Sequence, residues 1–187
     1  MLSIHRIVAP AILAFTLSAP VLAQQPLTGM VTGTDIDRIE QLAEAYGPVE
    51  RRSDEDGFWL RVEFDSIVYT ISFLNCDDAH QNCTTVQFRA WWQSNGAHSV
   101  EAMNQWNRDR RFSAAYLDGN DNATIEWDVN LAGGVTAVNF DDSIQWWHAV
   151  VRQFRETVID PGYAANPGSA PSTTPTAPST PSAPRTK

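Results

Sequence analysis

Lysine is nearly missing from this chain, whose one lysine is its last residue, Lys187. All 22 acidic residues lie between Asp35 and Asp160, where ten arginines are the only cations, so that stretch carries a formal charge of −12. Binding to phosphate backbones needs clustered cations, and a surface this acidic argues against nucleic acid as a partner. The short run Arg108-Asp109-Arg110-Arg111 reads as the solvated end of a helix, where cations complement the negative end of the helix dipole.

Catalytic motifs are missing as well. There is no G-x-S-x-G turn, no P-loop, no G-x-G-x-x-G run and no H-E-x-x-H helix. After residue 23 the histidines are His80, His98 and His148. His148 falls in an apolar helical stripe and reads as a packed side chain, while His98 precedes a helix cap and needs no more than a loop role. The expectation is a protein that is not an enzyme and carries no cofactor.

Long apolar runs are confined to the start. His5 and Arg6 precede an apolar stretch from Ile7 to Leu17, and Val21-Leu22-Ala23 precedes the polar Gln24-Gln25. That is the pattern of a secretory signal peptide over 1–23, with cleavage after Ala23 and a periplasmic or secreted product. Its apolar core is short for a membrane span, and no cysteine follows the cleavage point to take a lipid, so no membrane anchor is expected after cleavage. Residues 24–33 read as a short linker and 34–160 as one α+β domain. From Pro161 onward Pro, Ser, Thr, Ala and Gly dominate, a composition that buries too little apolar surface to offset its ordering entropy, so 161–187 reads as a disordered tail.

Inside the domain the periodicity is legible. Thr34 can cap a helix whose apolar positions Ile36, Ile39, Leu42, Ala43 and Tyr46 recur at three and four, stopped by Gly47-Pro48. Residues 59–65 and 67–73 alternate, with Leu60, Val62 and Phe64, then Ile67, Tyr69, Ile71 and Phe73, on one side; a turn at Ser66 makes them a hairpin. A third strand, 85–92, turns Val86, Phe88, Ala90 and Trp92 inward. A second helix near Ser99 buries Val100, Met103 and Trp106. Strands 113–117 and 124–131 flank the turn-forming Asp118-Gly119-Asn120-Asp121-Asn122, the second with Ile125, Trp127, Val129 and Leu131 dry and Thr124, Glu126, Asp128 and Asn130 wet. Thr136 then caps a last helix, where Phe140, Ile144, Trp147, Val151, Phe154 and Val158 form a long apolar ridge. The predicted order is αβββαββα with an optional strand near Val49: a two-layer antiparallel sheet covered by helices on one face and open on the other.

Three groups of residues carry a family resemblance across roughly 34–158. They are Cys76-Asp77-Asp78 followed by Cys83 and Val86-Gln87-Phe88; Asn104-x-Trp106-Asn107-Arg108 leading to Phe112 and Ala115-Tyr116-Leu117; and Asp128-Val129-Asn130-Leu131-Ala132-Gly133-Gly134-Val135. With them the chain resembles the YbjN-like proteins, described as sensory transduction regulators of bacteria, whose fold is similar to that of type III secretion chaperones. The resemblance implies a regulator or binding module, and the family offers no catalytic residues to carry over. An export signal, a Pro-rich tail and a cysteine pair set this chain apart from cytoplasmic members.

Cys76 and Cys83 end one strand and precede the next, so the hairpin brings them together and an oxidising compartment would join them. A zinc site combining them with Asp77, Asp78 or His80 is the alternative, although C-x6-C is not a usual ligand pair. Asp118-Gly119-Asn120-Asp121-Asn122 resembles a calcium loop but has Ala123 at the sixth position and Val129 at the twelfth. Glu126 and Asp128 share a strand face, as an acid and base pair would. The face opposite the core holds Trp59, Arg61, Glu63, Arg89 and Trp91, and indole beside guanidinium is a usual make-up for a protein-binding hot spot. The expected function is therefore an exported, non-catalytic protein-binding or chaperone-like module, a sensory or regulatory component of the cell envelope. Its partner would be an unidentified protein or peptide, with a homodimer as the other use of that face. The competing reading is an envelope hydrolase or metal-dependent sensor built on the acidic residues, which would need an enclosed polar pocket.

Overall fold

The computed structural model describes residues 27–54 and 57–170. The expected signal peptide, the start of the expected linker and the tail from residue 171 lie outside the described residues. In chain order the elements are β1 (Met30–Val31), α1 (Ile36–Glu44), β2 (Val49–Asp54), β3 (Gly57–Phe64), β4 (Ile67–Leu74), β5 (Thr85–Gln93), α2 (Val100–Asp109), β6 (Ala114–Leu117), β7 (Asn122–Asn130), β8 (Val135–Thr136), α3 (Ala137–Phe154), a π-helical turn (Arg155–Ile159) and α4 (Asp160–Ala165). Six strands form one antiparallel sheet in the order β2-β3-β4-β5-β7-β6, and β1 pairs with β8 in a separate ribbon. This is the expected α+β two-layer architecture, with the strand near Val49 a full edge strand.

Strand alternation sends one set of side chains inward. Leu60, Val62, Tyr69, Ile71, Val86, Phe88, Ala90 and Ile125 are fully buried on that side. The α3 ridge meets them: Phe140, Ile144, Trp147, Val151 and Phe154 are also fully buried. The Trp147 ring lies 5.8 Å from Tyr69 and 5.7 Å from Phe88, and Phe154 lies 5.8 Å from Trp92 and 5.0 Å from Trp106. The ridge does not end on Val158 as the periodicity predicts. A π-helical turn adds a residue to the turn and rotates Ile159, 1% exposed, into the core in its place.

The hairpin between β3 and β4 turns through Asp65 and Ser66, both at positive φ, with Phe64 opposite Ile67. Two residues at positive φ match the right-handed twist of the strands they join. Arg152 donates to the Asp65 carboxylate at 3.0 Å and Arg155 to its carbonyl at 3.0 Å, tying this turn to the end of the last long helix.

Several local expectations are corrected. Asp35, not Thr34, caps α1, its carboxylate accepting from the Arg38 amide at 3.2 Å. Ser99 caps α2 as expected, but Val100 at the first helical position points to solvent. Thr124, placed on the wet side, is fully buried, with Trp91 and Tyr116 as its cross-strand neighbours. Residues 30–31 of the expected linker form β1, with Val31 in the core. Next to it a Cβ on Gly33 would fall 2.1 Å from the Cys83 carbonyl oxygen, so only glycine permits the crossing. The tail likewise starts later than Pro161, since α4 runs to Ala165 and the Tyr163 hydroxyl donates to the Gln93 carbonyl at 2.5 Å. A Cβ on Gly162 would meet the His98 ring at 2.5 Å.

Cys76 and Cys83 are joined by a disulfide across the β4–β5 connection. Replacing both by serine is expected to cost roughly 2.5 kcal/mol of unfolding free energy, the loop-entropy value for so short a ring; denaturant melts showing no loss would contradict it. Trp147 gives a second test, because its indole N–H is buried without a partner. Trp147→Ala should cost about 3–5 kcal/mol, whereas Trp147→Phe, which also removes the unpaired donor, should cost less than about 1.5 kcal/mol.

Candidate functional site

The sheet register aligns the outward side chains in rows. Glu50, Arg61, Thr70, Arg89, Glu126 and Ala114 are successive cross-strand partners, one from each of the six strands. Arg61 donates to Glu63 at 2.8 Å and lies 3.9 Å from Glu50. Arg89 lies 3.8 Å from Asp118 and 5.6 Å over the Trp91 ring, with its Nε buried and unpartnered. Tyr116 donates to Glu126 at 2.7 Å. Burial, followed by that hydrogen bond, pushes the Tyr116 phenol well above its ordinary value, so it stays a donor.

Trp59, Arg61, Arg89 and Trp91 therefore share one face, as alternation requires. They do not form a single cluster. Trp59 sits in the row of Ser72 and Gln87, and Trp91 in the row of Thr124, on opposite sides of the Arg61–Thr70–Arg89 row. Nor do they project freely: the two indoles are half-buried, and the arginine side chains are only 16% and 13% exposed. Their cross-strand neighbours Thr70 and Thr124 are 2% and 0% exposed. The result is a flat surface of guanidinium, indole and carboxylate groups, desolvated before any partner arrives. Such groups lose little side-chain entropy on association.

The acidic residues do not converge. Glu126 is held by Tyr116, and Asp128 accepts from Gln87 at 2.9 Å. Asp118 accepts the amides of Asn120 and Asn122 at 2.8 and 2.9 Å and the Asn122 side chain at 3.0 Å. Burial alone would raise its pKa, but these donors with Arg89 outweigh it and hold the carboxyl below its ordinary value. A carboxylate committed to its own turn amides has few lone pairs for a cation, so the stretch 118–122 is a capped turn. Asp77 is arranged alike: donation from Asn82 at 2.6 Å, then from the Gln81 and Ala79 amides, depresses its pKa. With the disulfide closed, Cys76 and Cys83 have no thiolate to offer zinc. Among the described residues no group of three or more metal-ligating side chains is assembled, and no helix is long and apolar enough to cross a membrane.

Two further features were not legible in the sequence. A groove of about 600 Å³ opens between α2 and the segment from the π-helical turn to α4, lined by His98, Trp106, Arg110, Val158 and Asn166 among others. One side of it includes Pro161, Gly162 and Asn166, whose composition reads as tail. The other is a cluster of hydrogen-bonded polar side chains packed between α3, α1 and the sheet. His148 stacks on Phe64 at 3.6 Å, and its Nε2 shares a hydrogen bond of 2.9 Å with the Tyr69 hydroxyl. Tyr46 donates to Asp141 at 2.8 Å, and burial followed by Asp141 pushes its phenol up to about 12. Burial, followed by Arg152, pulls His148 down to about 4.

That shift fixes a pH dependence. Between the ordinary histidine value near 6.5 and about 4 the unfolded chain binds a proton that the folded chain refuses. Stability is complete above the upper value and falls as the pH drops toward the lower, by about 3 kcal/mol in all. Denaturant melts from pH 7 to pH 4 should show this slope, and His148→Phe should flatten it. A wild-type slope unchanged in that variant would contradict the assignment.

The family model described as YbjN, "Putative bacterial sensory transduction regulator", matches residues 35–160. No curated protein matches the chain. Among solved structures, YbjN from E. coli is similar at 18% identity, covering 75% of this chain and 96% of that one with a TM-score of 0.48. The Yersinia pestis type III secretion chaperone SycH, in complex with a fragment of YscM2, is similar at 14% identity, covering 65% and 98% with a TM-score of 0.41.

Proposed function

The chain belongs to the YbjN family, and from that membership we propose that it is a non-catalytic protein-binding module that acts in the cell envelope after export and makes its contact through the open sheet face. One observation carries this reading: the Arg61–Thr70–Arg89–Glu126 row, flanked by Trp59 and Trp91, lies on the side of the sheet away from the helices. Arginine and tryptophan are the residue types that dominate protein–protein hot spots, and half-buried ones are already shaped for contact. The strongly shifted side chains support the same reading from the other side. Tyr46, Tyr69, Tyr116 and His148 are each moved in the direction that keeps them neutral, with burial the largest cause every time, which is how structural groups are shifted. The export signal read over 1–23 and the closed disulfide support an oxidising compartment.

Affinity capture tests the proposal. With the chain from Gln24 as bait in a periplasmic extract, a protein retained by the wild type and by a control on the far side of α1, Gln41→Ala, should be lost with Trp91→Ala and with Arg89→Ala. Each substitution should weaken binding by about 2 kcal/mol or more while circular dichroism stays native. Equal retention by all four proteins would overturn the open face as the contact. A homodimer that these two substitutions dissociate would assign the face to a second copy instead.

A further inference from the structure

A separate aromatic surface lies at the far edge of the helix-covered side. Trp127 on β7 points inward, its ring 6.2 Å from the core Phe88, and it is also 5.6 Å from Phe112 in the loop between α2 and β6. Phe112 in turn lies 5.4 Å from Trp146 on α3. Phe112 and Trp146 are 42% and 46% exposed, so the core continues through Trp127 into a patch of rings open to solvent. Isolated exposed rings are common, but three linked through Phe112 are a patch.

The backbone makes the patch conspicuous. Eight non-glycine residues among those described have positive φ; seven are Asp, Asn, Ser or His, which tolerate it in turns, and the eighth is Phe112 at +63°. A bulky residue held there is strained, and its ring is not buried in compensation. Such strain persists where the surroundings enforce it and gathers at sites that bind. Charge marks the same place. Arg110 lies 5.6 Å over Trp106 and Arg111 5.3 Å over Phe112, and neither forms an ion pair among the described residues. With Arg108 they put three of the domain's ten arginines within four residues of a stretch whose formal charge is −12.

We propose that Phe112, Trp127 and Trp146, with Arg111 over the Phe112 ring and Arg110 two residues before it in the chain, form a second docking surface that takes an acidic peptide segment carrying apolar side chains. The rings supply desolvation area, and the two uncompensated guanidiniums select negative charge in a protein that otherwise repels it. The surface shares no residue with the open sheet face and stands if that reading fails.

The test is fluorescence anisotropy on the full chain with a labelled peptide of Glu and Asp bearing Leu and Phe at intervals of three and four. Its counterparts carry Lys for the acids, or Ser for the apolar residues. The acidic amphipathic peptide should bind and both counterparts should not. Reversing both arginines, Arg110→Glu with Arg111→Glu, should weaken it at least about tenfold. Phe112→Gly should weaken it roughly thirtyfold while the melting temperature holds or rises, because glycine is free of the strain. A purely structural ring would instead lower the melting temperature in that variant, which would overturn the proposal. So would equal binding of the acidic and Lys peptides, no binding of either, or a dimer in sedimentation that Trp146→Ala dissociates. Loss of peptide binding in Trp91→Ala would move the peptide to the open face, overturning this proposal and leaving the other.

Discussion

The structure depends on one contact: the α3 ridge pressed against the inward side of the sheet. Trp147 sits at its centre, between Tyr69 on β4 and Phe88 on β5, and the ridge runs from Phe140 at one end to Phe154 at the other, where Trp92 and Trp106 join it. One helix thereby spans strands far apart in sequence. Because period-two alternation leaves no freedom in which side of a strand faces a helix, the same contact decides what the outward side must carry. A one-residue slip would bring Arg61, Thr70 and Arg89 under the helix and expose Leu60, Tyr69 and Phe88.

Two kinds of polar group follow from that division. On the inner side burial dominates, and His148 with its tyrosine neighbours is kept neutral in a hydrogen-bonded cluster. On the outer side carboxylates are either committed to turn amides, as at Asp118, or paired singly with a neighbour, as at Glu126 and Asp128. Neither arrangement sets two carboxyls against one reacting atom. The outer side offers instead a flat array of indoles and guanidiniums, and membership of the YbjN family fits a contact surface of this kind.

Much of this architecture was legible because its core elements have clean periods. The three-and-four spacing from Phe140 to Phe154 and the alternation in β3, β4, β5 and β7 fix both the layers and the facing of Trp59, Arg61, Arg89 and Trp91. What escaped were features that depend on three-dimensional neighbours. Strand order separated Trp59 from Trp91, and nothing local to either residue encodes that order. Thr124 alternates correctly yet is fully buried. Met30–Val31 and residues 161–165 have the composition of connectors, and become ordered only because β8, Gln93 and His98 receive them. Phe112 carries no mark of its backbone in the sequence, since positive φ leaves no trace when the residue is not Gly, Asn or Asp.

The central claim is that the side of the sheet away from the helices meets another protein, and in-cell photo-cross-linking tests it most directly. A photo-reactive amino acid at Asp128, exposed on that side, is predicted to give a discrete adduct with another protein in the envelope fraction, while the same group at Gln41 on α1 gives none. Adducts from Gln41 but none from Asp128 would contradict the account.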